Sequence, residues 1–161
     1  MATIIKELLG VTATLLSTEL NSLLNAAQVL SSVINGNGVY DDTAGTGSSS
    51  TTGDGYERGY LTLHLAALGG SPSANTSIDI YFIKSLDSGS TFEDASASIT
   101  PTARPDAQFA VDSSRSTAQT LTRLVFLPAC QFKILAINNI GVTLAASGNT
   151  VKLVPATDEL V

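Results

Sequence analysis

Tryptophan is absent from this chain, and cysteine and histidine occur once each. The lone Cys130 excludes an intramolecular disulfide and any multi-cysteine metal site. Cys130 and His64 cannot complete a tetrahedral zinc site without carboxylates, and no spacing supplies them. Charge is scarce as well. Only 14% of the residues are Asp, Glu, Lys or Arg, against roughly 25% in an average globular protein. The polar surface must therefore be built largely of Ser, Thr, Asn and Gly. A net charge of −6 argues against a nucleic-acid groove, which needs clustered Lys and Arg. No stretch approaches the roughly 18 uninterrupted apolar residues of a membrane helix, so neither nucleic acid nor membrane is an expected partner.

What is present is apolar and strand-like. Hydrophobic residues make up 43% of the 161 positions, enough for one domain with a core that needs no covalent staples. The N-terminal run 2–17 is apolar, yet Lys6 and Glu7 interrupt it, no basic segment precedes it, and no small-residue cleavage site follows. It reads as an arm, residues 1–16, bent at Gly10, that packs on its own domain or on a neighbouring subunit. Residues 17–161 form the domain. Ser17 and Thr18 followed by Glu19 are helix-start chemistry. Leu16, Leu20, Leu23, Leu24, Ala27, Leu30 and Ile34 recur at helical spacing, so one helix to Ile34 is an option. The β-branched Val29, Val33 and Ile34 and the turn Asn35-Gly36-Asn37-Gly38 favour a short helix over 18–24 and a strand over 27–34.

Residues 36–55 are a Gly/Ser/Thr-rich loop. Strands follow over 56–68, with Leu61, Leu63 and Leu65 on one face and Tyr60, Thr62 and His64 on the other, and over 76–84, with Ile78, Ile80 and Phe82 turned inward. Further strands are expected at 92–99, 108–112, 142–145 and 150–154, the last closed by Pro155. The segment 117–139 reads as a long apolar hairpin with a corner at Pro128. Leu121, Arg123, Val125 and Leu127 share one face of its first arm, and Thr120, Thr122, Leu124 and Phe126 share the other. In the second arm Phe132, Ile134 and Ala136 oppose Lys133, Leu135 and Ile137. Apolar groups on both faces predict strands in the middle of a sheet, covered on both sides for part of their length. About eight strands, long mixed connections and scarcely any helix predict an all-β fold, a β-sandwich of jelly-roll or Greek-key type, with an N-terminal arm and at most one short helix.

Catalytic constellations are hard to find. His64 lies mid-strand with no nucleophile elbow anywhere in the chain, and reads as a structural or surface histidine. Asp41, Asp42 and Asp54 lack the alternation of a calcium loop. Glu93 and Asp94 are adjacent and point apart in an extended chain, unlike paired glycosidase acids. The run Gly45-Thr46-Gly47-Ser48-Ser49-Ser50 has neither the lysine nor the following helix of a phosphate loop. Cys130 reads as a small buried hydrophobe. No enzyme, no cofactor and no metal is expected.

Several segments together resemble a family of small structural proteins of tailed bacteriophages. They are Thr18-Glu19-Leu20-Asn21-Ser22-Leu23, Val29-Leu30-Ser31-Ser32-Val33-Ile34-Asn35, Tyr60-Leu61-Thr62-Leu63-His64-Leu65, Ser77-Ile78-Asp79-Ile80-Tyr81-Phe82-Ile83 with Phe92-Glu93-Asp94, and above all 127–139, leading to Gly141-Val142 and 146–153. Ala129-Cys130 departs from that pattern, where a second proline or a small residue with glycine is expected. Within the family the chain is similar to capsid decoration (cement) proteins. The resemblance implies a virion protein made in the bacterial host cytoplasm, binding the major capsid protein on the head surface as a homo-oligomer, with a trimer favoured. Under it, Ile4, Ile5, Leu8 and Leu9 of the arm are the candidate interface. A tail, neck or fibre-associated component is the structural alternative. A carbohydrate-binding β-sandwich is the alternative of another class, with Tyr40, Tyr56, Tyr60 and Tyr81 as stacking platforms.

Overall fold

Alternation in the stretch 58–65 sets the first sheet. Leu61, Leu63 and Leu65 are buried while Tyr60, Thr62 and His64 face the other way, half-exposed, the pattern of a strand with one covered face. The computed structural model describes residues 5–34, 57–85, 87, 90–93, 102–128 and 130–160. Within them run β1 (Ile5–Leu9), β2 (Ala13–Leu16), a 3-10 turn (Thr18–Leu20), β3 (Gln28–Leu30), β4 (Arg58–Leu65), β5 (Ser77–Ser85), β6 (Ala107–Ala110), β7 (Gln119–Phe126), β8 (Gln131–Asn138) and β9 (Thr150–Leu160). All pairings are antiparallel: β1 and β2 with β9, β3 with β8, β4 with β7, β5 with β6. First pairs with last and so on inward, as in a ribbon folded back on itself. Two more pairings, β4 with β9 and β5 with β8, roll that ribbon into two sheets. Their orders are β1/β2–β9–β4–β7 and β3–β8–β5–β6. This is a jelly-roll β-sandwich.

The core lies between the sheets, where Leu61, Leu63, Leu65, Val151 and Leu153 face Ile78, Ile80, Phe82, Phe132 and Ile134. Full burial of each such side chain contributes on the order of 1.5–3 kcal/mol. Phe82 and Phe132 meet edge to face with ring centroids 5.1 Å apart, a favoured aromatic geometry. Two fully or nearly fully buried asparagines tie the loops to this core. Asn138 Nδ2 donates to the Leu23 and Val142 carbonyls, 2.9 Å each, and its Oδ1 accepts from Ile140 N–H at 3.2 Å. Asn149 accepts from Ala66 N–H and donates to the Ala145 carbonyl and to Asn21 Oδ1.

Several expectations are corrected. The segment 117–139 is not a hairpin: β7 pairs with β4 and β8 with β5, in opposite sheets. Leu127 N–H closes on the Glu57 carbonyl at 2.9 Å, and the corner at Pro128 then carries the chain across the roughly 10 Å between packed sheets. In this arch Val125 and Phe132 both join the same core from opposite sides, whereas a hairpin would have set the two arms side by side. Central placement holds for β8 alone. β7 is the edge of its sheet, and Thr120, Thr122, Leu124 and Phe126 on its outer face are exposed.

The helix expected over 18–24 is reduced to one 3-10 turn. Glu19 accepts from Ser17 N–H at 2.8 Å, which holds its carboxyl below the usual range, but Asn21 is extended and Ser22 sits at φ 56. Burial of Leu20 in the core prevails over helix continuation. The strand expected over 27–34 is β3, with Ile34 rejoining β8 through a bridge to Phe132. Between them Ser31 supplies a rung from its side chain, Oγ accepting from Ile134 N–H at 2.9 Å. Residues 142–145 form no strand, and 92–93 form none either. The expected loop 36–55 and residues 94–99 lie outside the described residues.

Pro155 does not close β9, which runs on to Leu160. Its carbonyl accepts from Gly10 N–H at 2.8 Å. In a strand the N–H and C=O of one residue point the same way, so the donor that proline lacks also faces Gly10. There the ladder is interrupted: Leu9 pairs with Ala156 and Ala13 with Leu153, leaving one extra residue on the arm side. That bulge accommodates a proline in an interior strand. On the other side Gly59 stands opposite Pro155, where a Cβ would lie 2.7 Å from Leu153 Cδ1, so a side chain there would clash.

Candidate interaction surface

The two sheets treat their outer faces differently. On the outer face of β5 and β8, Tyr81, Ile83, Leu135 and Ile137 are buried, with Leu30 and Phe92 packed against them. Lys133 Nζ sits 4.2 Å from the centre of the Phe92 ring, a cation–π contact. Asp79, also buried there, has its oxygens taken by Ser77 Oγ, Gln108 Nε2 and Asn139 Nδ2 at 2.7–3.0 Å. On the outer face of β9, β4 and β7 the described side chains are exposed or half-exposed, apart from the buried Ala156.

Register places the residues of that open face in four rows. Thr120, His64 and Thr150 form one, and Thr122, Thr62 and Lys152 the next; Leu124, Tyr60 and Val154 follow, and Phe126, Arg58 and Ala156 form the last. The first two rows are held by side-chain bonds: His64 Nδ1 and Thr120 Oγ1 are 2.9 Å apart, and the Thr62 and Thr122 hydroxyls 3.1 Å. The last two rows are apolar at the β7 end. Phe126 is 82% exposed and Leu124 55%, where singly scattered apolar residues are ordinary but adjacent ones form a patch.

Charges cluster beside this patch. Arg58 donates to Asp158 Oδ2 at 2.9 Å and to Glu7 Oε1 at 3.2 Å, and Tyr60 Oη donates to Glu7 at 2.9 Å. The Arg58 hydrogen bond holds the Asp158 carboxyl below its ordinary range, the Glu7 bond raises the Tyr60 hydroxyl, and both carboxylates raise Arg58. A pocket of about 230 Å³ is lined by Glu57, Arg58, Phe126, Ala156, Thr157 and Asp158.

A larger pocket, about 360 Å³, lies along the edge of β5 beyond β6 and is lined in part by Lys84, Arg104, Glu93 and Asp106. Its acids are already engaged with the strand edge. Asp106 accepts from Phe82 N–H at 2.7 Å and Glu93 from Lys84 N–H at 3.1 Å, so they blunt the edge instead of forming an acid pair.

Of the arm residues, Ile4 lies outside the described residues. Ile5, Leu8 and Leu9 are positions of β1, paired with Leu160, Thr157 and Ala156 of the same chain, and Leu9 is 54% exposed. Residues 5–16 thus supply the edge of a sheet of their own domain. His64 faces hydroxyls of neighbouring strands. Cys130 is half-buried, so the expectation of a buried hydrophobe is corrected: it sits on the inter-sheet corner, outside the core. Tyr81 is buried and Tyr60 is bonded to Glu7, while Tyr40, Tyr56, Asp41, Asp42, Asp54 and Asp94 lie outside the described residues. Among the described residues no group of three or more His, Cys, Asp or Glu is placed to hold a metal ion. Among the described residues no helix is long and apolar enough to cross a membrane.

The Phe126 patch was not anticipated as a site. Its signal was the company that Leu124 and Phe126 keep, sharing a strand face with Thr120 and Thr122. The Glu7–Arg58–Asp158 cluster joins three strands remote in sequence, which no local pattern marks. No protein-family model matches the chain, and neither a curated protein nor a solved structure matches it.

Proposed function

We propose that this chain is a non-enzymatic decoration (cement) protein of a bacteriophage capsid, binding the major capsid protein on the outer surface of the head and stabilising it. The observation that carries the reading is an open sheet face with adjacent exposed Phe126 and Leu124 on a jelly roll whose opposite face is covered. The resemblance of 127–139 and its companion segments to phage virion proteins supports it, as does the recurrence of jelly rolls in viral capsid and lectin domains. Fold analogy alone would not separate these functions. In this reading the chain acts by binding only, as a trimer whose repeated contacts add avidity.

The test is co-sedimentation of the purified chain with undecorated heads of the phage whose genome carries the sequence. Retention on the heads, with a higher temperature of head rupture, is the expected result; failure to bind ends the reading. Labelled chain found on the tail or neck of the virion would transfer the proposal to those parts. A lectin role is the less favoured reading, because Tyr81 is buried and the Tyr60 hydroxyl is engaged by Glu7. A glycan array is expected to give no hits.

A further inference from the structure

We infer that the open face of the β9–β4–β7 sheet is the surface that docks the partner, and that it receives an arginine or lysine side chain flanked by apolar groups. The inference rests on the capsid-binding reading for the identity of the partner and on the geometry for the place. Phe126 and Leu124 are neighbours on one strand face, 82% and 55% exposed, with Tyr60 and Val154 beside Leu124. An aromatic side chain carries about 150–250 Å², so the ring alone offers more than 100 Å² of apolar surface, and aromatic anchors of this kind dominate binding energy at interfaces.

The partner meets the face and not a strand edge. On the β7 side Arg123 reaches from the edge of one sheet to the Gln108 carbonyl of the other at 3.4 Å. On the β1/β2 side the ladder is broken by two bulges. Both devices discourage an added strand.

Charge selects the occupant. Around Phe126 the described side chains include three carboxylates, Glu7, Glu57 and Asp158, against the single guanidinium of Arg58. Glu57 makes no ion pair with it. Lys152, the other cation of this face, stands two rows away. A cation entering the pocket would find Glu57, Asp158 and Phe126 in its lining, two acidic residues and an aromatic one, residue types that favour positive charge. A second copy docked face to face about a two-fold axis would set these acids against their own images, which is repulsive.

The experiment compares the intact chain with the double variant Phe126→Ser/Leu124→Ser, with Glu57→Lys and Glu57→Gln, and with Thr143→Ala on the exposed β8–β9 loop as control, all binding to the same undecorated heads. The double variant and Glu57→Lys should each weaken binding at least tenfold and Thr143→Ala should leave it unchanged. Glu57→Gln should weaken it less, and added salt should weaken the wild type more steeply than Glu57→Gln, which keeps Asp158 in the pocket lining. Circular dichroism verifies folding, and the isosteric Glu57→Gln remains a test if the double variant misfolds. Wild-type binding with all variants within twofold overturns the docking face and leaves the capsid reading standing; absence of wild-type binding overturns both. Ultracentrifugation showing that wild type self-associates while the double variant is monomeric would also overturn it, since the face would then join copies of this chain.

Discussion

Phe126 and Phe132 are six positions apart, and the structure gives them opposite fates. Phe126 keeps less than a fifth of its surface covered. At roughly 1.5–3 kcal/mol for a wholly buried side chain, that share is about 0.3–0.5 kcal/mol. Phe126→Thr replaces one strand-favouring residue by another, β-branched one, so unfolding by urea should shift by about 0.5 kcal/mol or less. Phe132 is fully buried against Phe82, and Phe132→Ala should cost about 3–5 kcal/mol through lost transfer energy and the cavity left behind. Both are read from the denaturation midpoint at unchanged slope. A loss above about 2 kcal/mol for Phe126→Thr would refute the outward placement of that ring. If the loss shrank as the protein was diluted, the ring would be covered by another copy.

Asn138→Ala should be among the costliest changes outside the apolar core. It strips hydrogen-bond partners from the Leu23 and Val142 carbonyls and the Ile140 N–H, at about 1–3 kcal/mol for each buried group left unpaired, and a net loss near 3 kcal/mol is expected by the same urea assay. Asp87 is held down to about 2 from an ordinary 3.8, first by Thr91 N–H and then by the Ser85 hydroxyl. A depressed carboxylate stabilises the fold above its ordinary value, and that contribution fades as pH falls from 3.8 to about 2. Asp87→Asn should therefore flatten the acid limb of a stability-against-pH curve in that window. Asp158, lowered by Arg58, acts with the same sign, and Arg58→Met should remove its share.

Strand content, alternation and turns were legible because each depends on neighbours in sequence. The inward set Leu61, Leu63, Leu65, Ile78, Ile80 and Phe82 was read from period two alone and is buried as read. The all-β sandwich class followed from strand spacing and the near absence of helix, while the jelly-roll winding was settled by the sheet orders. Where local signals compete, the reading failed. Seven residues with helical cues at 18–24 collapsed to one 3-10 turn because burying Leu20 mattered more than propensity. Pro155 carries a local signal for a strand end, and the bulge at Gly10 that overrides it lies about 145 positions away.

What the sequence by itself determined is which residues alternate and where the chain turns, since side-chain direction in a strand is set by the backbone of that strand. Only the tertiary structure decided which strand lies beside which. Two apolar strands joined at Pro128 fit a hairpin or an arch equally well, and the choice is made by β4 and β5, which pair with them in different sheets. That choice leaves β7 at an edge with Phe126 and Leu124 uncovered, and gathers Glu7, Arg58 and Asp158 from three strands beside them. The surface proposed to bind is therefore a product of sheet order, because partners up to a hundred residues apart meet only when the ribbon is rolled.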